Sequence, residues 1–333
     1  MSFVPEFTKE VENGTEHLYS LVKNVIPRLE WEIKAPLIYR INQLKKEKDV
    51  VILAHNYMTP DIFHCIADIQ GDSLALAKEA TKCSAETILV CGVYFMAETA
   101  KVLSPEKKVL ISDPTAGCSL ADSITGEDIK KLRKQHPGVP VVTYVNTTAE
   151  TKAEVDICCT SGNAIEIIES IDSDKILFVP DRFLCRNMQT QTDKELIEWS
   201  TGSCEVHEQF TVESIEEFRS THPGLVVIAH PECPRDVVEA SDFSGSTADM
   251  INYVDDKKPS KILMVTECSM SDNLTGLYPD VEFIRPCNLC PHMKKITLEN
   301  VLESLETMSP EVVIDPKVIA GAKKSVERML EVK

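Results

Sequence analysis

The sequence predicts an α/β protein made of three consecutive modules, each with a parallel β-sheet. Two observations lead to this fold class. Short apolar runs rich in β-branched residues alternate with helical segments, a pattern typical of buried parallel strands in βα units. The same strands, helix starts and cysteines also recur at an interval of about 85 residues, which indicates that one unit is repeated three times.

Three strands define the repeat. The run Val50–His55 is matched by the runs 141–146 and 226–230, which have the same β-branched composition and the same polar ending. Two further sets of strands are predicted, and we expect each set to occupy one equivalent position in the three modules. The second set is 88–93, 155–159 and 240–243, and the third set is 109–112, 175–179 and 261–266.

Helix starts recur together with the strands. Helical patterns begin in the segments 71–78, 161–168 and 246–251, each with a Ser, Thr or Asp that can cap the helix N-terminus. Residues 1–35 and the residues after 295 also have helical patterns but carry no cluster of polar residues. We therefore expect these terminal segments to pack on the outside of the modules.

The composition argues against several classes of protein. The chain has 333 residues and 43% hydrophobic content, enough for more than one domain. Its net charge is −18, whereas nucleic acids and anionic lipid surfaces require a basic face. The N-terminal segment has neither the basic nor the apolar region of a signal peptide, and no apolar run is long enough to span a membrane. We therefore expect a cytoplasmic protein that binds neither nucleic acid nor membranes.

Three of the twelve cysteines share one register of the repeat. Cys118 precedes Cys204 by 86 residues, and Cys204 precedes Cys290 by 86 residues. If the modules meet around a pseudo-three-fold axis, three thiolates converge and leave one iron of a four-iron cluster open as a Lewis acid. Zinc, which also accepts three cysteines with one open position, is the competing metal. We expect the other nine cysteines to be structural.

Cys287 is the one structural cysteine for which we also consider a second role. It lies three residues before Cys290, so a Cys287–Cys290 disulfide would remove a predicted metal ligand. We hypothesise that this pair confers redox control. A Cys287→Ser variant should then resist mild oxidants better than the parent chain.

Polar side chains follow the first strand of each module. In open α/β sheets, ligands bind beyond the carboxyl ends of the strands. A His and a Glu two residues apart can hold a carbonyl and abstract a proton, a Tyr can relay protons, and an Asn can anchor a carboxylate. The three clusters are His55-Asn56-Tyr57, Tyr144-Val145-Asn146-Thr147 and His230-Pro231-Glu232-Cys233.

Hydroxyl groups stand at the predicted helix starts, at Ser73, Ser161, Ser246 and Thr247. Backbone N–H groups at a helix N-terminus, with hydroxyls beside them, bind phosphate or carboxylate without requiring a net positive protein. The spacing leaves open which of these hydroxyls bind a ligand and which only cap a helix.

These residues belong to a longer series of motifs that resembles the quinolinate synthase family. The motifs run in order from about residue 36 to about residue 300. They are Ala54-His55-Asn56-Tyr57, Gly71-Asp72-Ser73-Leu74, Phe95-Met96-Ala97-Glu98-Thr99-Ala100-Lys101, Gly117-Cys118-Ser119-Leu120, Tyr144-Val145-Asn146-Thr147, Pro180-Asp181, Gly202-Ser203-Cys204-Glu205-Val206-His207-Glu208, His230-Pro231-Glu232-Cys233, Gly245-Ser246-Thr247 and Cys290-Pro291-His292-Met293.

The resemblance implies a fold of three homologous three-layer α/β/α domains around a pseudo-three-fold axis, with the active site at the centre. On this basis we expect domains at 36–118, 119–204 and 205–290. N-terminal helices in 1–35 and C-terminal helices in 291–333 should flank them.

The resemblance also implies an activity and a cofactor. Members of the family condense iminoaspartate with dihydroxyacetone phosphate to quinolinate, with loss of phosphate and two waters, in the biosynthesis of NAD. One 4Fe–4S cluster held by Cys118, Cys204 and Cys290 is the implied cofactor. A transient contact with the aspartate oxidase or dehydrogenase that supplies iminoaspartate is also expected, because an imine hydrolyses readily in water.

The family's residue roles carry over by motif. His55 and Tyr57 are expected to bind substrate and move protons, as catalytic residues. Tyr144 and Asn146 are expected to hold carboxylate and hydroxyl groups, and Tyr144 is also a candidate catalytic residue. His230 and Glu232 are expected to position the substrate and to take part in catalysis, with Glu232 as the candidate base. The hydroxyls expected to bind phosphate or carboxylates are those of Ser73, Ser161, Ser246 and Thr247.

Three other functions remain open at this point. An aconitase-like hydro-lyase would need the same open iron but no phosphate site. A non-catalytic iron–sulfur sensor or electron carrier would not need polar side chains around the cluster. A zinc-binding structural protein would need only the cysteines.

Overall fold

The computed structural model describes residues 6–332, which form three four-stranded sheets whose strand pairs are all parallel. Helices flank each sheet, so the predicted α/β class and its three-fold organisation are confirmed. The strands of the three sheets are, in chain order, β1 (Val50–His55), β2 (Ile69–Gly71), β3 (Thr87–Cys91) and β4 (Lys108–Ile111); β5 (Val141–Tyr144), β6 (Ile157–Cys159), β7 (Lys175–Val179) and β8 (Glu195–Glu198); and β9 (Val226–Ala229), β10 (Phe243–Ser244), β11 (Lys261–Val265) and β12 (Glu282–Ile284).

Each sheet has the same strand order. The orders β2-β1-β3-β4, β6-β5-β7-β8 and β10-β9-β11-β12 place the first strand of every module inside the sheet, beside the third. The connections from these two adjacent strands lead to opposite sides of the sheet, which makes the boundary between them a topological switch point. Such a switch point opens a crevice at the carboxyl ends of the strands. The polar clusters that follow β1, β5 and β9 therefore stand at three equivalent switch points.

The predicted pairing of the second and third strand sets is wrong, although all nine predicted strands exist. The strand at 87–91 is equivalent to β7 and β11, and the strand at 108–111 is equivalent to β8 and β12. Three short strands, Ile69–Gly71, Glu195–Glu198 and Glu282–Ile284, were missing from the prediction and shifted the alignment of the repeat. They are edge strands of three or four residues, none of which is buried, so their sequences carry little apolar signal.

In each module, the side chain of one aspartate is hydrogen-bonded to the backbone of the first strand. Its carboxylate accepts a hydrogen bond from a backbone N–H of the first strand, at 2.9 Å in module 1, 2.7 Å in module 2 and 2.8 Å in module 3. The three aspartates are Asp68, Asp156 and Asp242, each paired with a Lys or Arg. The repeat therefore extends from the sheet order to individual side-chain contacts.

Sixteen α-helices connect and cover the sheets in the described part of the chain. The helices are α1 (Lys9–Val22), α2 (Arg28–Glu47), α3 (Pro60–Cys65), α4 (Ser73–Lys82), α5 (Tyr94–Leu103), α6 (Ser119–Asp122), α7 (Gly126–Gln135), α8 (Ala149–Lys152), α9 (Ala164–Ser170), α10 (Arg182–Met188), α11 (Val212–Thr221), α12 (Arg235–Glu239), α13 (Thr247–Lys257), α14 (Ser269–Leu277), α15 (Leu298–Thr307) and α16 (Pro316–Glu331).

The predicted helix starts are confirmed by α4, α9 and α13, which follow the second strand of each module. A second series of helices begins at a capping threonine seven residues after each cysteine of the three-fold register. Thr125, Thr211 and Thr297 accept the backbone N–H of the third helical residue, which satisfies a donor that the helix itself leaves free. The cysteine, a turn and a capped helix thus form one repeated unit.

The terminal helices pack against the modules, as predicted. Trp31 of α2 is fully buried, and α15 packs along the same helix. On α16, Ser325 donates a hydrogen bond to the backbone oxygen of Lys152 in module 2 at 2.7 Å. The expected domain limits at 35, 118, 204 and 290 remain predictions, and α2 runs across the first of them. Within residues 6–332, no helix has the length and apolarity needed to cross a membrane.

Candidate active site

One cavity gathers the carboxyl ends of all three sheets. The first cluster contributes His55 and Tyr57 to its lining, the second Tyr144 and Asn146, and the third His230 and Glu232. Of the remaining predicted residues, the lining includes Ser73, Ser161, Thr247, Cys118, Cys204 and Cys290. The structure therefore brings together every predicted site residue except Ser246.

The side chain of Ser246 caps the N-terminus of helix α13. Its hydroxyl accepts the Asp249 backbone N–H at 3.2 Å and its backbone N–H donates to the Asp249 carboxylate at 2.9 Å, the reciprocal pattern of a capping box. The hydroxyl also donates to the same carboxylate at 2.6 Å. The next residue, Thr247, does line the cavity, and its hydroxyl accepts a hydrogen bond from the Asn56 amide of module 1 at 2.9 Å. A ligand role for Ser246 remains a prediction.

The other two predicted hydroxyls, those of Ser73 and Ser161, line the cavity at different positions relative to their helices. Ser73 is the first residue of α4, whose N-cap is Asp72. Ser161 lies in the turn before α9, and the following Gly162 leaves so little space that a Cβ there would be 3.2 Å from Ser246 Oγ. Glycine at 162 thus allows the turn of module 2 to approach the helix start of module 3.

The three cysteines of the register stand at the start of three similar turns. The backbone oxygen of Cys118 accepts the N–H four residues on at 3.0 Å, that of Cys204 at 3.0 Å and that of Cys290 at 3.1 Å. Burial raises the pKa of all three thiols, to about 12 for Cys118, while backbone N–H groups two and three residues on bond to each sulfur and lower it. Each turn therefore offers a buried sulfur with two N–H donors, which stabilise a thiolate.

These turns contact one another around the cavity. Ser119 donates to the backbone oxygen of Ser203 at 3.0 Å and accepts the N–H of Glu205 at 3.2 Å, which ties the Cys118 turn to the Cys204 turn. Glu205 lies 2.8 Å from His292 Nε2 in the Cys290 turn. Lys295 donates back to the backbone oxygen of Thr115 at 2.7 Å, which closes the ring.

This ring of turns fits a metal centre with three thiolates. The twelve cysteines are free in the structure, so none of the three sulfurs is consumed by a disulfide. Three soft sulfur donors with N–H groups directed at them are the donor set that iron–sulfur clusters use, and hydrogen bonds to the sulfurs tune their potential. The three cysteines and the polar strand-end residues line the same cavity.

His207, which the sequence analysis did not assign a role, lies at the centre of the polar groups. Its Nδ1 is 2.6 Å from Glu232 Oε2 and 3.1 Å from Cys204 Sγ, and its Nε2 is 3.0 Å from Thr266 Oγ1. Its ring stacks on that of His230, with 4.7 Å between the centroids. The one available signal was its position three residues after Cys204, inside a motif already recognised.

Thr266 extends the contacts of His207 to module 1. Its hydroxyl is 2.6 Å from the Tyr57 hydroxyl, so a continuous series of hydrogen bonds runs from Tyr57 through Thr266 and His207 to Glu232. Thr266 directly follows β11, and nothing in its local sequence indicates this contact with a residue 209 positions earlier.

The buried groups of this network have well-separated protonation states. Burial lowers the pKa of His55 to about 4 and that of His230 to about 3, so both rings are neutral at neutral pH. Burial alone would raise the pKa of Glu232, but His207 and His230 hold it low, at about 2. Burial raises the pKa of Tyr57 and of Tyr144 well above the ordinary value, so both phenols keep their protons. Within this network, Glu232 is thus an ionised carboxylate that can act as a base, and Tyr57 and Tyr144 are phenol donors.

A second ion pair, also absent from the sequence analysis, supports the Cys290 turn. Glu267 Oε1 accepts the backbone N–H of Cys290 at 3.3 Å and lies 2.9 Å from Lys294 Nζ. Lys294 also donates to the backbone oxygen of Tyr57 at 3.1 Å. This pair holds the third cysteine turn against the first polar cluster.

Cys287 lies outside this network, on an exposed turn with φ of 61°. Burial, and next the neighbouring Cys287, raise the pKa of Cys268 to about 12, so these two thiols are close to each other. The expected Cys287–Cys290 disulfide remains a prediction.

Known proteins resemble the chain over nearly its full length. The family model described as Quinolinate synthetase A protein matches residues 39–331. A quinolinate synthase of Sinorhizobium fredii is 55% identical over 327 residues, which cover 98% of this chain and 91% of that protein. Quinolinate synthase 2 of Mesorhizobium japonicum is 56% identical, with 97% and 99% covered, and a quinolinate synthase of Xylella fastidiosa is 56% identical, with 89% and 87% covered. With this similarity and three cysteine turns around one cavity, the chain belongs to the quinolinate synthase family of enzymes.

Proposed function

We propose that the chain is a quinolinate synthase, which condenses iminoaspartate with dihydroxyacetone phosphate to quinolinate in the biosynthesis of NAD. The reaction releases one phosphate and two waters, and it forms one carbon–carbon and one carbon–nitrogen bond. The observation that carries the proposal is the convergence of three cysteine turns and three strand-end polar clusters on one cavity. The names of the chain's relatives agree with it.

Cys118, Cys204 and Cys290 are the residues that would hold a 4Fe–4S cluster. Its iron without a protein ligand would supply Lewis acidity to a hydroxyl or carboxylate oxygen of the substrate. The interlocked turns support this role, because they tie the three cysteine turns to one another around the same cavity.

Glu232 is the base of the proposed reaction. It is ionised and 3% exposed, so it can accept a proton from the substrate carbon that forms the new carbon–carbon bond. Asn146 Nδ2 contacts its other oxygen at 3.4 Å, and Tyr144 bonds to the same carboxylate. These contacts orient the carboxylate, while the neutral His55 and His230 can bond to carbonyl and carboxylate oxygens of the substrates.

The series from Tyr57 to Glu232 provides a route for protons. Because Glu232 is ionised, the partners assign the His207 Nδ1–H as donor to it, which leaves Nε2 to accept from Thr266 and Thr266 to accept from Tyr57. These hydrogen bonds carry protons toward Glu232, and return of a proton from Glu232 toward Tyr57 uses the reverse orientation, in which Nδ1 accepts from Glu232 and Nε2–H donates to Thr266. Tyr57 keeps its own proton, so it can protonate a departing hydroxyl during loss of water.

The anionic groups of the substrates require a positive potential that charged side chains do not supply. Among the described residues that line the cavity, none is Lys or Arg. Helices α4 and α13 direct their N-termini at the cavity, with Ser73 and Thr247 as hydroxyl donors, and helix N-termini stabilise phosphate and carboxylate. We therefore assign phosphate and carboxylate binding to Ser73, Thr247 and the neighbouring Ser161, with Ser246 shaping the helix start.

Two further parts of the proposal concern the surroundings of the enzyme. The twelve free cysteines fit the reducing cytoplasm, where disulfides are rare. Because the imine substrate hydrolyses in water, a transient contact with an aspartate oxidase or dehydrogenase would shorten its time in solution.

The test is metal analysis followed by a product assay on chain purified without oxygen. We expect about four irons and four sulfides per chain and formation of quinolinate from iminoaspartate and dihydroxyacetone phosphate. Glu232→Gln should retain iron and sulfide but lose turnover by about a hundredfold or more. One zinc without sulfide would contradict the cofactor, and turnover of a single hydroxyacid without dihydroxyacetone phosphate would favour the aconitase-like hydro-lyase.

A further inference from the structure

We propose that the cluster-free chain has a site for a single divalent transition-metal ion, formed by Cys204 Sγ, His207 Nδ1 and a carboxylate oxygen of Glu232. A borderline ion of the zinc class would bind there. This site goes beyond the proposed function, since two of its three ligands are not cysteines of the register.

The three ligand atoms already lie together. All of them are within 4.8 Å of one another, with 2.6 Å from His207 Nδ1 to Glu232 and 3.1 Å from His207 Nδ1 to Cys204. An ion at about 2.0 to 2.3 Å from sulfur, nitrogen and oxygen ligands needs only small side-chain movements from this arrangement. His207 and Glu232 are 1% and 3% exposed, so the site is shielded from competing water.

The far side of the imidazole fits metal ligation as well. Nε2 of His207 is 3.0 Å from the Thr266 hydroxyl, which can accept its N–H and leave the Nδ1 lone pair free for the ion. Metal-bound histidines usually donate their second ring N–H to such a partner, which fixes the ring and its tautomer. Binding would release the Cys204 thiol proton to solvent and move the His207 proton from Nδ1 to Nε2, while Glu232 enters already ionised.

The charge of the cavity favours a cation. Four carboxylates, those of Asp72, Glu205, Glu232 and Glu267, are part of its lining, and the described lining residues include neither Lys nor Arg. Of these carboxylates, Glu267 is paired with Lys294 and Glu205 with His292, whereas Glu232 has only imidazole, amide and phenol partners. A divalent ion would neutralise the carboxylate and the thiolate together, which removes the cost of burying them.

The ion and the cluster compete, because both need Cys204. A chain that carries the ion would be unable to complete a three-cysteine centre until the ion is removed. Excess zinc during cluster assembly should therefore trap the chain in a cluster-free form, and a chelator should release it.

The experiment uses Co²⁺ as a spectroscopic probe on the full-length chain without cluster. A thiolate bound to Co²⁺ gives a charge-transfer band in the near ultraviolet, and we expect one Co²⁺ per chain with this band. The band should be lost in Cys204→Ser and His207→Ala but retained in Cys118→Ser and Cys290→Ser. Thr266→Val should weaken Co²⁺ binding by about tenfold, whereas exposed His17→Ala should leave it unchanged.

Opposite results would overturn the proposal. Loss of the band in Cys118→Ser with retention in His207→Ala would show that the ion uses the three cysteines of the register instead. Absence of a band in the parent chain, with its helix content unchanged by circular dichroism, would show that there is no such site. Neither result bears on quinolinate formation, and an inactive chain with the expected band would contradict only the proposed function.

Discussion

The Cys118 turn and the Cys204 turn share a backbone but differ in the side chain that follows. In both, the cysteine oxygen accepts the N–H four residues on at 3.0 Å, and both sulfurs are approached by the N–H groups two and three residues on. The third residue after Cys118 is Ala121, a small side chain. The third residue after Cys204 is His207, which contacts Glu232, Thr266 and the cysteine itself.

This difference distinguishes the features that the three modules share from the side chains that are specific to one module. The repeated turn places a sulfur at an equivalent point in each module, so the proposed metal binding follows from the symmetry. The proposed proton-handling groups break that symmetry, since the positions equivalent to Glu232 hold Tyr57 in module 1 and Asn146 in module 2. Three copies of one scaffold therefore provide three different functional groups to one cavity.

Replacing either cysteine tests the shared part of the comparison, with the largest expected effect. Cys118→Ala and Cys204→Ala should each abolish cluster retention and lower quinolinate formation by about a thousandfold or more, because the Lewis acid is lost. Iron and sulfide analysis on anaerobically purified chain checks the first effect, and the product assay the second.

The matched control is Cys83→Ser, which changes a partly exposed cysteine outside the cavity lining. It should retain both the cluster and the activity. An active Cys204→Ala chain would mean that Cys204 is not a ligand and that the equivalence of the two turns has no functional meaning.

The Cys204 turn differs from the Cys118 turn by the hydrogen bonds of His207. Removing the hydrogen bond between His207 and Thr266 tests the function of this difference. Thr266→Val preserves shape but removes the hydroxyl that joins Tyr57 to His207, so kcat for quinolinate should fall by about a hundredfold at unchanged iron content. Steady-state kinetics and iron analysis on the same preparation measure the two quantities.

Thr221→Val, at an exposed position at the end of α11 in the same module, is the control and should leave kcat unaltered. A Thr266→Val enzyme with parental kcat and parental dependence on pH would show that protons reach Tyr57 by another path.

The features that repeat in all three modules could be predicted from the sequence. The features that differ between the modules could be predicted only in part. The register of Cys118, Cys204 and Cys290 is visible as equal spacing, and the strand-end clusters are visible as polar residues after apolar runs. His207 and Thr266 meet through contacts between segments 59 residues apart, which no local pattern encodes. The short strands at 69–71, 195–198 and 282–284 were missed for a related reason, because their hydrogen bonds depend on the neighbouring strand.

The stability of the fold in acid extends the comparison to the ends of the first strands of the three modules. Of the effects predicted here, it is the smallest at neutral pH. His55 and His230 occupy equivalent positions, and the third is held by Tyr144, a phenol that takes up no proton in acid. The pKa values of His55 and His230, about 4 and about 3, lie below the ordinary 6.5, so on acidification the unfolded chain takes up these protons first. Stability is therefore complete above pH 6.5 and falls as the pH drops toward 4.

Between pH 7 and pH 5 the two histidines together should lower the free energy of unfolding by about 4 kcal/mol. Glu232 does not contribute in this window, because its lowered pKa stabilises the fold above pH 4.5 and that contribution is lost only below it. Urea unfolding at the two pH values measures the difference, and His230→Gln should remove about half of it, whereas His17→Gln, at an exposed position, should not. An unchanged difference in His230→Gln would mean that His230 is protonated in the folded chain, and that the first and third strand ends are not equivalent in charge.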